Sequence, residues 1–188
     1  MHLAVGDINS DGINDVIAGA FLADPVGGGN AGKTFVFYGS SNVGVGMGSS
    51  FDVNTQANMT INGSSANDNS GNAVAVGDFN NDGVTDIITA SYQAVPAGRG
   101  AGAGKAYVFY GRDSTDIGLG SSFDADTQAN ITINGSEGNN NLGIDVASGD
   151  INNDGISDII IGAHLADPAS RGVDAGKVYV FYGGSIAL

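Results

Sequence analysis

Three short acidic loops carry the side chains best suited to chemistry. Asp7-Ile8-Asn9-Ser10-Asp11-Gly12-Ile13-Asn14-Asp15 reads D-x-N-x-D-G-x-x-D, and the pattern returns from Asp78 to Asp86 and from Asp150 to Asp158. Oxygens at positions 1, 3 and 5 can converge when the chain curls tightly, and a hard cation such as calcium takes about six to eight oxygens. The candidate ligands are Asp7, Asn9, Asp11 and Asp15, then Asp78, Asn80, Asp82 and Asp86, then Asp150, Asn152, Asp154 and Asp158. Position 7, which is Ile13, Val84 or Ile156, would add its main-chain carbonyl. Glycine at position 6 permits the curl. Three carboxylates crowded into one loop repel each other unless a cation lies between them. The expectation is one calcium ion per loop.

An EF-hand and a plain polar turn can both begin with these residues. The EF-hand loop, however, closes on a bidentate Glu at position 12 and lies between helices. Position 12 here is Ala18, Thr89 or Ile161, inside an apolar run, which removes the EF-hand and dockerin-like readings together. Asp, Asn and Gly also dominate ordinary turns. A single loop would fit an ordinary turn; three copies of one pattern do not.

The elements that must position these loops follow from the period. Asp7, Asp78 and Asp150 lie 71 and 72 residues apart. AGKTFVFYG from Ala31 returns from Ala103 and Ala175, and SSFDVNTQANMTINGS from Ser49 returns from Ser121. Within the middle unit, residues 72–77, 85–90, 105–110 and 130–134 read as strands, rich in Val, Ile, Thr, Phe or Tyr and bounded by turn residues. Runs such as VFYG and DIIIGA are apolar at successive positions, which predicts sheets covered on both faces. Four short strands per unit, repeated radially, make the blade of a β-propeller. A unit of this length is long for one coil of a β-helix and short for a sandwich of about 100 residues.

On these residues the chain resembles the FG-GAP repeat family, the propeller module of integrin α-subunit heads and of many large bacterial surface proteins. The family's Phe-Gly and Gly-Ala-Pro signatures are relaxed here. Leu142-Gly143 and Ser70-Gly71 stand for the first, and Gly19-Ala20-Phe21, Thr89-Ala90-Ser91 and Gly162-Ala163-His164 for the second. The resemblance implies a structural calcium in each hairpin loop on the underside of a propeller, with ligand recognition on other loops. It also implies a secreted or cell-surface protein of bacterial type, whose export signal lies outside this chain.

The expected fold is all-β, a partial, open propeller of about two and a half to three blades, each of four antiparallel strands. Residues 1–69 form a first blade lacking its start, 70–141 a second, and 142–188 a third without its last strand. Such an arc leaves an apolar blade face uncovered. The expected partners are therefore the remaining blades of a longer chain, with self-association as the alternative, and a protein or glycan ligand.

Composition narrows the function. A formal charge of −14 with six Lys and Arg would repel phosphate backbones, which excludes nucleic acid as a partner. No apolar run approaches the roughly 20 residues that span a bilayer. Cysteine is absent, so disulfides and thiolate metal sites are excluded.

Every strongly patterned residue serves the strands or the loops, which favours a noncatalytic adhesion or protein-contact scaffold. A lectin would need aromatic platforms, and there is no Trp. An accessory propeller of a secreted hydrolase would need carboxylates outside the loops, for which Asp113, Asp116 and Asp145 are the unrepeated candidates. His2 and His164 lack repeated partners and read as structural. Lys33, Lys105 and Lys177 recur before one strand and read as charges balancing nearby Asp, or as solvated edge residues. Tyr92 and Arg99 lie in a loop of the middle unit that differs from its sisters, the first choice for ligand contact.

Overall fold

A computed structural model of the chain describes residues 2–25, 28–39, 52–112 and 121–184. Asp113 and Asp116 lie outside the described residues. The strands group into three sheets, one for each repeat unit. The first unit supplies β1 (His2–Gly6), β2 (Asp15–Ala20), β3 (Lys33–Phe37) and β4 (Met59–Asn62). The second supplies β5 (Ala73–Gly77), β6 (Asp86–Ser91), β7 (Lys105–Phe109), β8 (Ser121–Asp124) and β9 (Ile131–Asn134). The third supplies β10 (Leu142–Gly149), β11 (Asp158–Ala163) and β12 (Lys177–Phe181). One-turn helices α1 (Val53–Gln56) and α2 (Ala125–Gln128) precede β4 and β9. The fold is a partial β-propeller.

Consecutive strands pair antiparallel within each blade, so that the acidic loops between the first and second strands all leave the same end. The innermost strands β1, β5 and β10 touch in succession. Burial explains why the strands do not alternate. Ile87 packs toward the first blade and the adjacent Ile88 toward the third, and all six residues of β6 are buried. Each such side chain taken from water stabilises the stack by roughly 1.5–3 kcal/mol. The end faces make the same point. Leu3 and Val5 on β1 are 59% and 58% exposed, while Val74, which matches Leu3 in the second blade, is 6% exposed. Val178 and Val180 on β12 are also exposed, whereas their counterparts Ala106 and Val108 are fully buried between blades.

Polar contacts tie the blades together. The hydroxyls of Thr34 and Thr89 meet at 2.8 Å in the buried first interface. Asn72 donates from Nδ2 to the Ile144 carbonyl at 2.7 Å, and the Ser148 hydroxyl donates to the Val76 carbonyl at 2.6 Å.

The first sheet departs from the four-strand expectation. Its order is β1-β2-β3-β4-β8, because β8 leaves the second unit and pairs parallel with the outer edge of β4. Asn62 Nδ2 donates to Ser122 Oγ at 2.7 Å, and Ser64 Oγ donates to the Asp124 carboxylate at 3.0 Å while accepting from the Asp126 amide. Asp124 also caps α2 by accepting from the Thr127 amide at 3.0 Å. Asp126 then returns to its own blade, where it receives the Lys105 ammonium and, at 2.7 Å, the Tyr107 hydroxyl. The recurrent Lys at this position thus balances an Asp in the middle unit.

Asp68, 6% exposed, borders this cluster. Burial first, then the charge of Asp126, pushes its carboxyl up to about 6, against the opposing effects of Lys105 and a backbone hydrogen bond at Ser65. The folded value lies above the unfolded 3.8, so the native state holds the proton more tightly, and the stability this group contributes falls as pH rises from about 4 to about 6. Asp68→Asn installs the residue that the second unit carries at Asn140. It should stabilise the chain by about 2 kcal/mol at pH 7 and by little below pH 4, measured by urea melts at both pH values. An equal gain at both would contradict a role for the charge.

Candidate metal centre

The three loops curl in the same way. Position 4 is left-handed in all three, with φ of 56° at Ser10, 62° at Asn81 and 61° at Asn153. The position 6 glycines follow at 84°, 85° and 90°. A β-carbon at Gly12, Gly83 or Gly155 would meet no neighbour, so glycine is required here by backbone conformation and not by space.

This curl gathers positions 1, 3 and 5. The Asp11 amide donates to Asp7 Oδ1 at 3.1 Å and to Asn9 Oδ1 at 3.2 Å, and the Gly12 amide donates to Asp7 Oδ2 at 2.8 Å. Asp78, Asn80 and Asp82 repeat the set at 3.1, 3.0 and 2.9 Å, as do Asp150, Asn152 and Asp154 at 3.1, 3.0 and 2.8 Å. The Asp at position 5 accepts from the position 7 amide, at Ile13, Val84 and Ile156. The donor set is all oxygen, which suits a hard cation.

Position 9 has a different setting. Asp15, Asp86 and Asp158 are fully buried. Asp15 accepts from the Ile8 amide at 2.9 Å and the Gly39 amide at 2.8 Å, which ties the acidic loop to the chain leaving β3. Asp86 does the same with Phe79 and Gly111, and Asp158 with Ile151 and Gly183. Burial pushes the Asp86 carboxyl up to about 6 despite these two amides, with the charges of Asp82 and Asp78 adding to the rise. Asp15 is raised for the same leading reason. Among the described residues no group of three or more His, Cys, Asp or Glu is drawn to one point. The loop amides bring positions 1, 3 and 5 together, and position 9 lies buried beneath them with both oxygens accepting from backbone amides.

Position 2, which the pattern leaves free, anchors the next blade. Ile8 and Phe79 are each 1% exposed, in the first and second interblade cores, while Ile151 on the last blade is 53% exposed. The Asp78 carbonyl also accepts from the Ser157 amide of the next unit at 3.0 Å. Loop shape and blade stacking are thereby coupled. An apolar residue at position 2 in all three copies was the available signal.

Of the remaining candidates, His2 and Asp145 approach each other at the surface. His164 is exposed, and His2 Nδ1 lies 3.9 Å from Asp145 Oδ1 with both side chains open to solvent. Arg99 donates from Nη1 to the Ser136 carbonyl at 3.1 Å, a contact between two loops of its own blade.

With three copies of this loop and blade in place, the class is defined: a repeat-built propeller with an acidic hairpin in each blade. The FG-GAP repeat model matches residues 1–37, 70–109 and 142–181, and the chain belongs to that family. It is 31% identical over 179 residues to the phosphatidylinositol-glycan-specific phospholipase D of Homo sapiens, and 29% identical over 180 residues to that of Bos taurus. Each match covers 95% of this chain and 20% of the relative. The chain thus spans about a fifth of the length of these relatives.

Proposed function

We propose that this chain is a calcium-stabilised propeller segment that acts as a noncatalytic interaction scaffold in an exported protein. The observation that carries this reading is the threefold recurrence of one oxygen set in one hydrogen-bonded curl. Asp7, Asn9, Asp11 and the Ile13 carbonyl would hold the ion in the first loop, with their counterparts in the second and third, and Asp15, Asp86 and Asp158 would close each site from below. Bound calcium supplies positive charge that fastens the loop. Position 2 passes that order to the next blade, and three ions reduce the formal charge from −14 to −8.

Extracellular calcium modules bind with dissociation constants on the order of 10⁻⁴–10⁻³ M, a range suited to a secreted or cell-surface setting. Among the described residues no helix is long and apolar enough to cross a membrane. The partner would be a protein or glycan meeting loops such as that of Tyr92 and Arg99. A second reading, an accessory propeller of a larger hydrolase, is favoured by the phospholipase D name of the relatives.

Terbium tests the metal reading without a mutation. Tyr38 and Tyr110 lie near the acidic loops: burial first, then the charge of Asp15, pushes the Tyr38 hydroxyl up to about 12, and burial, then Asp86 and Asp82, raises that of Tyr110. Terbium bound in those loops should luminesce on tyrosine excitation and be displaced by millimolar calcium. Emission no greater than that of the unfolded chain would contradict the proposal.

A further inference from the structure

The second blade carries an edge identical in chemistry to the one that β8 occupies on the first. Ile131-Thr132-Ile133-Asn134-Gly135-Ser136 repeats Met59-Thr60-Ile61-Asn62-Gly63-Ser64 with a single change, yet among the described residues β9 is the last strand of its sheet. Exposure follows occupancy. Ile61 is fully buried beneath β8 while Ile133 is only partly buried, and Thr132, Asn134 and Ser136 are all exposed where their counterparts are partly covered.

Beside this edge lies a cavity of about 280 Å³ lined by Ile133, Asn140, Leu142, Ala163, Tyr179 and Phe181. At the corresponding place between the first two blades, Ala125 of α2 is fully buried and Phe123 packs edge-on against Phe109 with ring centroids 6.1 Å apart. Phe181 is the counterpart of Phe109, and Tyr179 of Tyr107. A second observation marks the cavity as a socket: Asn140 is 5% exposed and its Nδ2 has no hydrogen-bond partner among the described residues. A buried amide left unpaired costs about 1–3 kcal/mol.

We propose that the β9 edge and this cavity form an acceptor site for an extended Ser-Ser-Phe-Asp-x-Asp-Thr-Gln segment that stands to the third unit as β8 and α2 stand to the second, added as a parallel fifth strand. By the register of β4 with β8, the segment's second Ser lies opposite Thr132, its Phe opposite Ile133 and its first Asp opposite Asn134. The Phe and the residue after the first Asp fill the cavity against Phe181 and Leu142. The second Asp accepts from Lys177 and Tyr179, as Asp126 does from Lys105 and Tyr107, and it supplies an acceptor for Asn140. This site goes beyond the calcium reading, since none of its contacts is an acidic-loop residue.

The chain has no cysteine, which makes thiol trapping unambiguous. The probe is the peptide Ser-Cys-Phe-Asp-Ala-Asp-Thr-Gln, mixed with the Thr132→Cys chain in a glutathione redox buffer containing calcium. Thr132 is exposed, so the substitution leaves the fold intact, as circular dichroism would verify. The mixed disulfide should form at least about tenfold faster than with a peptide bearing Lys for its second Asp, and about tenfold faster than with a Thr60→Cys chain, whose edge β8 covers. Equal rates in these comparisons, or no adduct, would overturn the proposal. Disulfide-linked dimers of the Thr132→Cys chain in place of the adduct would also overturn it and assign the edge to a second copy. Because the acidic loops are untouched, a failed trap leaves the terbium result standing, and the reverse holds as well.

Discussion

Removing calcium from the folded chain should lower its melting temperature by roughly 8–17 °C, and adding calcium back should restore it. A ligand that binds only the native state adds RT ln(1 + [L]/Kd), about 1.4 kcal/mol per site at ten times Kd, hence about 4 kcal/mol for three loops. Each kcal/mol moves the midpoint of a chain of this size by about 2–4 °C. The physical origin is local. Without a cation, Asp78 and Asp82 are held in one curl with only loop amides to offset their charges, and Asp86 adds a third carboxylate below. Bound calcium would remove that repulsion and fasten Phe79, the position 2 anchor, which lies in the second interblade core. Differential scanning calorimetry with millimolar calcium and with excess chelator reads the effect. Superimposable melts, with metal removal verified by elemental analysis, would contradict it.

Gly63→Ala should destabilise the chain by more than about 4 kcal/mol, a loss confined to a few mechanisms such as overpacking against backbone. Gly63 follows β4 and donates to the Gly32 carbonyl at 2.9 Å. A β-carbon there would sit 1.9 Å from the Ala31 carbonyl oxygen and 2.7 Å from its carbon, both main-chain atoms that cannot swing aside. Gly135 meets Ala103 in the same way, at 1.9 and 2.6 Å. Gly98→Ala is the matched control: its φ is 74° but nothing lies within 4 Å, so only the left-handed strain of about 1 kcal/mol remains. Guanidinium melts of the Gly63→Ala, Gly135→Ala and Gly98→Ala chains separate the cases. A Gly63→Ala chain as stable as Gly98→Ala would mean that this close approach does not exist.

Much of this architecture was legible because one period is written three times. Strand positions in the middle unit agree within about a residue, since runs of Val, Ile, Phe and Tyr bounded by Gly and Asn leave few alternatives. The curl of the acidic loops was legible for the same reason: Gly at position 6 and Asn or Ser at position 4 suit left-handed backbone. Two features were not. The recurrence of SSFD-x-x-TQ was visible, but a four-residue strand that crosses to the neighbouring blade is fixed by Asn62 and Ser64 some 60 residues away, and no local pattern encodes that pairing. The carboxylate at position 9 reads from spacing as another loop ligand. Its fully buried setting, with both oxygens on backbone amides, depends on the chain leaving the third strand, at Gly39, Gly111 and Gly183.

The number of calcium ions bound per folded chain tests the central claim most directly. Equilibrium dialysis of the chain and of its Asp82→Ala variant, with calcium counted by atomic emission, should give three ions for the first and two for the second. A chain that binds no calcium at millimolar concentration, or a variant that binds as many ions as its parent, would contradict the assignment of the metal to these loops.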